Sequence, residues 1–235
     1  MHFDWERLTD SVHRCRLPFL DVTVGLVQGR TGVLLVDTGT TLTEAAAINA
    51  DVHQIAAHRV THVVLTHKHF DHVLGSGVFV DAQIYCAPKV LDYLKTATDE
   101  LRDDALRYGA DVEEIDRAIA ALRPPQHAID HAEIDLGNFH VTIAHLGRGH
   151  TDADLVVVPG DDGERMVVFS GDLIEESGDP AIDADSDVTA WPDTLDRLLA
   201  VGGPDAVYVP GHGSVVDAEF VRRQRDSLRW RHRTR

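Results

Sequence analysis

The sequence predicts an α/β domain built as a two-part sandwich, and three observations carry that prediction. Apolar strand-like runs alternate with helical patterns in the first half. Beyond Gln126 the texture changes to short strands. In both halves, apolar runs end in loops that hold His, Asp and Gly. No low-complexity linker divides the chain of 235 residues, so a single domain spanning residues 1–235 is expected.

In chain order, Asp21 to Val27 and Val33 to Asp37 read as paired strands around a glycine turn at Gly29 and Gly32. Thr43 to His58 reads as a helix with Ala45, Ile48, Val52 and Ile55 on one face, and Thr61 to Leu65 as a buried strand. Ala82 to Cys86 is a short strand, and Pro88 suits the first turn of a helix. Helical patterns follow at Asp99 to Tyr108 and at Asp111 to Leu122, the latter with Val112, Ile115, Ile119 and Leu122 in phase and Pro124-Pro125 as its stop. This helical insertion around residues 88–123 is too long for a plain connection. It either caps the functional site or packs on the core. Strands are expected at His140 to Leu146, Leu155 to Val158 and Met166 to Phe169, with Asp161-Asp162-Gly163 as the turn of a hairpin. A helix at Pro192 to Val201, with Leu195, Leu198 and Leu199 inward, a strand at Ala206 to Val209 and a helix at Asp217 to Trp230 complete the chain.

The net charge of -17 opposes nucleic acid or an anionic membrane as partner, which leaves a small-molecule substrate. A homodimer is compatible with the sequence but not dictated by it. Cys15 and Cys86 are far apart and form no Cys-x-x-Cys pair, so neither a disulfide framework nor a thiolate metal site is expected. The first residues carry acids where a signal peptide needs a basic segment, and no run reaches the length of a membrane span. A cytoplasmic location follows as the expectation.

The densest chemistry lies in Thr66-His67-Lys68-His69-Phe70-Asp71-His72, directly after Val63-Val64-Leu65. Four potential metal donors, His67, His69, Asp71 and His72, fall within six positions. Neutral imidazole and carboxylate suit zinc and similar divalent ions, and this is more than one tetrahedral ion takes from a single loop. Three further donors sit at the ends of apolar runs, each beside glycine: His150 after Gly149, Asp172 after Gly171 and His212 after Gly211. Glycine permits a tight turn and close backbone approach.

With these motifs in this order, from Asp37-Thr38-Gly39 to Gly211-His212-Gly213, the sequence resembles the metallo-β-lactamase fold superfamily of metallohydrolases. The resemblance implies a four-layer αββα sandwich with the site at one edge between the sheets. It implies that His67, His69 and His150 hold one metal, that Asp71, His72 and His212 hold a second, and that Asp172 bridges both. Asp37 and Thr66 match positions that support the site from behind. A carboxylate at 172, where the best-known antibiotic-degrading members place cysteine or leave the bridge unmade, points to the lactonase, glyoxalase II and phosphodiesterase branches. The cofactors implied are two Zn²⁺, with iron or manganese as alternatives.

The function expected is therefore that of a dinuclear zinc metallohydrolase, in which a metal-bridging hydroxide attacks the carbonyl of a small ester, lactone, thioester or related substrate. Asp71 accepts a hydrogen bond from the nucleophile and orients it. Alternatives are an iron oxidoreductase resembling persulfide dioxygenases, a β-lactam or phosphodiester hydrolase, and a metal-loaded binding protein without catalysis. Among other polar residues, His145 is the strongest extra histidine, and Arg148 either meets a substrate carboxylate or is solvated. Glu175, Glu176 and Asp179 read as a solvated acidic loop. The arginines from Arg222 to Arg235 read as a basic helix balancing an acidic body.

Overall fold

Two β-sheets pack face to face, with helices covering the outside of each. The computed structural model describes residues 1–160 and 165–233. The first sheet runs in spatial order β1 (Trp5–Arg7), β2 (Val12–Arg16), β3 (Thr23–Gln28), β4 (Val33–Val36), β5 (His62–Val64), β6 (Gln83–Cys86) and β7 (His127–Ala128). Its first four strands are an antiparallel meander, and from β4 onward neighbours are parallel. The second sheet has the order β12 (Val207–His212), β11 (Val167–Glu175), β10 (Val156–Pro159), β9 (His140–Ala144) and β8 (His131–Asp135), with a parallel β11–β12 pair.

The sheet interface is tight enough that side-chain space is rationed. An added Cβ at Gly25 in β3 would overlap the Phe169 ring of β11. The parallel steps β4 to β5 and β5 to β6 require crossovers, and helices supply them. The first is α1 (Leu42–Ala56), opened by a capping box between Thr41 and Glu44. The second passes through α2 (Phe70–Val73) and a 3-10 turn at Leu74–Val78. The insertion forms α3 (Pro88–Thr96), α4 (Thr98–Arg107) and α5 (Val112–Ala121), with Pro88 in the first turn as the sequence predicts. On the other face, α6 (Trp191–Gly202) and α7 (Ala218–Arg233) bury Trp191, Leu195, Leu198, Val221 and Leu228 against the second sheet. The αββα layering follows from one rule: each sheet's outer face must be covered by apolar helix stripes.

Several sequence expectations change here. Strands β1, β2, β7 and β8 are additions, and Val112, expected on the inner face of α5, is exposed. Strand β11 does not stop at Phe169 but continues through Asp172 to Glu175, and β12 continues to His212. Strands β10 and β11 pair antiparallel, while the turn expected at Asp161 to Gly163 lies outside the described residues. The α7 arginines with described side chains pair internally, Arg225 and Arg229 with Asp196 and Arg231 with Asp179.

One polar anchor sits inside α1. Asp51 is fully buried and accepts from His2 N–H at 2.7 Å, Phe3 N–H at 2.8 Å and the Trp5 indole at 3.1 Å. Burial alone would raise its pKa, but these donors outweigh it and hold the carboxyl below the ordinary aspartate value. Asp51→Ala strands three donors and should cost about 2–3 kcal/mol at pH 7, read by thermal or denaturant unfolding. A depressed folded-state pKa stabilises above the unfolded value of about 4 and loses that contribution as pH falls through the folded value. The wild-type advantage over the variant should therefore persist at neutral pH and shrink below about pH 4.

Candidate metal centre

The site forms where strand ends from both sheets meet. After β5, residues 65–69 run along the sheet edge into α2, so His67 and His69 precede the helix while Asp71 and His72 sit in its single turn. Asp37, at the end of β4 with φ of 62°, locks this segment from behind. Its carboxylate accepts from Thr66 N–H at 2.8 Å, Thr66 Oγ1–H at 2.8 Å and His72 Nδ1–H at 2.8 Å. From the second sheet come His150, in the loop between β9 and β10, Asp172 in β11 and His212 at the end of β12. Gly171 takes φ of 51°, a left-handed conformation that breaks the β11 register just before Asp172. Gly211 is equally constrained, because a Cβ there would overlap Asp172 Oδ1.

The outer nitrogen of each histidine is engaged, which fixes what the inner nitrogen offers. His150 Nδ1–H points to the Ala181 carbonyl at 3.2 Å and His212 Nδ1–H to the Leu20 carbonyl at 2.7 Å. Thr66 Oγ1 gives its own proton to Asp37, so it accepts from His67 Nδ1–H at 3.0 Å. His69 turns Nε2 toward Asp185, 3.6 Å away. The inner nitrogens consequently face one another with lone pairs: His150 Nε2 is 2.9 Å from His69 Nδ1, and His72 Nε2 is 3.3 Å from His212 Nε2. Imidazole nitrogens this close are bridged either by a shared proton or by a bound cation. His67 Nε2 and Asp172 Oδ1 are buried with no hydrogen-bond partner, a second sign that these atoms are shaped for metal.

All seven predicted donors converge in two groups. The ligand atoms of His67, His69, His150 and Asp172 lie within 4.8 Å of one another, as do those of Asp71, His72 and His212. Asp172 reaches into both: Oδ1 is 3.2 Å from His72 Nε2, while Oδ2 lies 3.3 to 3.6 Å from His212, His150 and His67 Nε2. Electrostatics show the same demand for positive charge. Burial drives the His67 imidazole well below its usual value and that of His150 to about 4. At His72 and His212 burial is overridden by the nearby carboxylates, Asp172 foremost, and the latter rises to about 10. Burial would raise Asp172, yet the imidazoles of His212, His72, His67 and His150 hold it well below the carboxylate range.

A cavity of about 480 Å³ opens over the cluster. One wall is the insertion: Tyr93 of α3 and Glu100, Asp104, Arg107 and Tyr108 on and after α4. Both expected roles of the insertion are thus realised, since α5 buries Ile115 and Ala118 in the core instead. Lys68, unassigned by sequence, pairs with Asp185 at 2.9 Å and lies over the Tyr93 ring, while Arg107 pairs with Asp104 at 2.7 Å. Both cations of the cavity wall are therefore already matched by carboxylates.

Two acids depart from the sequence expectation. Glu175 is not part of a solvated loop; it is 8% exposed and lines the cavity, because β11 carries it inward. Asp185 lies far from any motif in sequence, and no spacing signal marks its approach to His69. His145 stays outside the donor groups, its Nδ1 bonded to the Asp154 carbonyl at 2.9 Å, and Arg148 is exposed and paired with Asp187.

Comparison with known proteins agrees with this architecture. Residues 17–212 match the family described as the metallo-beta-lactamase superfamily. A curated relative, a metallo-beta-lactamase type 2 of Bacteroides fragilis, is 31% identical over 104 residues, which is 43% of this chain and 40% of the relative. Less than half of that relative's length is thus matched. Crystal structures of metallo-beta-lactamases from Erythrobacter litoralis (TM-score 0.71, 19% identity, 97% of each chain covered) and Hirschia baltica (TM-score 0.69, 16% identity, 96% of this chain and 97% of the other) share the fold. With the family matched across most of its length, the chain belongs to the metallo-β-lactamase superfamily.

Proposed function

We propose that this chain is a dinuclear zinc hydrolase acting on a small ester, lactone, thioester or related carbonyl compound. The observation that carries the reading is Asp172, whose two carboxylate oxygens face the inner nitrogens of histidines in both donor groups. In this reading His67, His69 and His150 hold one ion, Asp71, His72 and His212 the other, and Asp172 belongs to both. Bound there, two divalent ions would lower the pKa of a shared water and polarise the scissile carbonyl. The chain's own residues do the rest. Asp71 Oδ2, 3.5 Å from His212 Nε2, accepts a hydrogen bond from the attacking water and orients it. Asp37 keeps the His72 and Thr66 protons directed outward, so the inner faces stay free for ligation. Tyr93, Tyr108 and Phe70 supply apolar surface for the remainder of the substrate.

The cavity supports a small molecule in two ways. Its volume lies in the range of small-ligand sites. Its wall carries Glu100, Asp104, Glu175, Asp183 and Asp185 against Lys68 and Arg107, which disfavours a polyanion such as nucleic acid. The name of the Bacteroides fragilis relative brings a second reading, a β-lactam, whose cyclic amide is also a carbonyl substrate.

Three outcomes test the proposal. Metal analysis of the purified chain should find two zinc ions per chain, and exhaustive chelation should abolish hydrolysis across a panel of lactones, thioesters, esters and β-lactams until zinc is restored. His67→Ala and Asp172→Ala should each lower kcat/KM by about a thousandfold or more, roughly 4 kcal/mol of transition-state stabilisation; full activity in either refutes the assigned site. Gly211→Ala adds only a methyl group but pushes on Asp172, so it should reduce metal content and turnover together. Unchanged metal content in that variant would show that the carboxylate's position is not critical.

A further inference from the structure

We infer that Glu175 is an additional metal ligand, which makes the ion position around His212 oxygen-rich and opens it to harder cations such as Mn²⁺ beside zinc. The inference rests on the two-metal reading and extends it to a residue that the superfamily motifs do not include. Strand β11 places it. Gly171 pairs with Pro210 and Glu175 with His212, so four residues of β11 advance against two of β12. This bulged path curls Glu175 back over the end of β12. There the ligand atoms of Asp172, Glu175 and His212 lie within 4.8 Å of one another. Two donors on one ion at ordinary ligand distances are separated by at most roughly 4.2–4.8 Å, so the three are spaced to share one.

The side chain is prepared on one side and open on the other. Glu175 Oε1 accepts from Ser177 N–H at 2.9 Å and from Ser177 Oγ–H at 2.6 Å, and Glu175 N–H is held by Gln224 Oε1 at 3.0 Å. Oε2 has no hydrogen-bond partner among the described residues. Asp172, 7% exposed, brings its Oδ2 within 3.3 Å of His212 Nε2, while its buried Oδ1 has no hydrogen-bond partner. Glu175, Asp172 and His212 form a third donor group, which shares His212 with the group of Asp71 and His72. Two carboxylates against one imidazole suit Mn²⁺ or Fe²⁺ as well as zinc.

The test is metal affinity, measured apart from activity. Apo protein is titrated with Mn²⁺ and with Zn²⁺, using calorimetry for stoichiometry and the Mn²⁺ paramagnetic resonance signal for occupancy. Wild-type chain should take up two ions. Glu175→Gln keeps an acceptor for Ser177, so the fold and the tighter ion should be unaffected. Mn²⁺ affinity at the weaker position should fall at least about tenfold, with a smaller loss for Zn²⁺. Glu175→Asp retains the charge but withdraws it by one methylene, and it should show the same Mn²⁺ loss. Full Mn²⁺ affinity in Glu175→Asp would reduce the role to nearby charge and overturn ligation. Unchanged affinity in Glu175→Gln, with two ions still bound, overturns Glu175 alone. A wild-type chain that takes up a single ion overturns the two-metal reading and this inference with it.

Discussion

Everything in this structure answers to one electrostatic constraint: imidazole lone pairs and carboxylate oxygens held out of water, facing inward, a few ångströms apart. The inner nitrogens of His69 and His150 lie 2.9 Å apart, and those of His72 and His212 3.3 Å apart, with Asp172 among them. Without positive charge such a cluster pushes its members apart. Because His67, His69, Asp71 and His72 follow the first sheet and His150, Asp172 and His212 belong to the second, that repulsion acts across the sandwich interface itself. A bound cation reverses its sign. Metal binding and closure of the two sheets are in this way thermodynamically linked, and the folded state gains stability with the logarithm of free metal concentration once it exceeds the dissociation constant.

The supporting residues make the cluster rigid rather than merely close. Asp37 uses both carboxylate oxygens on Thr66 and His72, and Thr66 passes the constraint on to His67 through its hydroxyl. Backbone carbonyls of Ala181 and Leu20 hold His150 and His212. Each imidazole is thus fixed in tautomer and orientation from outside, which raises its basicity toward a metal. Glycine at 171 and 211 is the complement of this rigidity, since the Asp172 carboxylate occupies space that any larger residue at 211 would claim.

How much of this the sequence discloses depends on whether the signal is local. The motif from Thr66 to His72 compresses four donors into one strand exit, so both its chemistry and its place in the fold are legible. His150, Asp172 and His212 are legible together, as Gly-flanked donors after apolar runs. The strands β1, β2, β7 and β8 are not. Trp5–Arg7 and His127–Ala128 are too short for periodicity, and Val12–Arg16 buries Arg14 only because Glu6 and the Gly213 carbonyl receive its guanidinium. Glu175 and Asp51 escape for the same reason. Both are acids in polar company, and burial comes from tertiary path: the extension and bulge of β11 for one, the docking of residues 2–5 onto α1 for the other.

The distribution of charge carries a last step. Of an acidic surplus that leaves the chain at -17, a part lies on the wall of the cavity over the donor cluster, where Lys68 and Arg107 are each committed to a carboxylate. The cavity therefore offers no unmatched cation among the described residues to receive an anionic substrate, and any carboxylate or phosphate entering must displace an existing ion pair or rely on the metal. The basic helix α7 does not alter this, because Arg225, Arg229 and Arg231 are spent on Asp196 and Asp179 across the second sheet's outer layer. Under the proposed function, recognition in this pocket falls to shape and aromatic surface from Phe70, Tyr93 and Tyr108, with charge acting chiefly to exclude. That division of labour is what the proposed function asks of the pocket: a neutral carbonyl compound would be activated at the metal cluster and held by those rings.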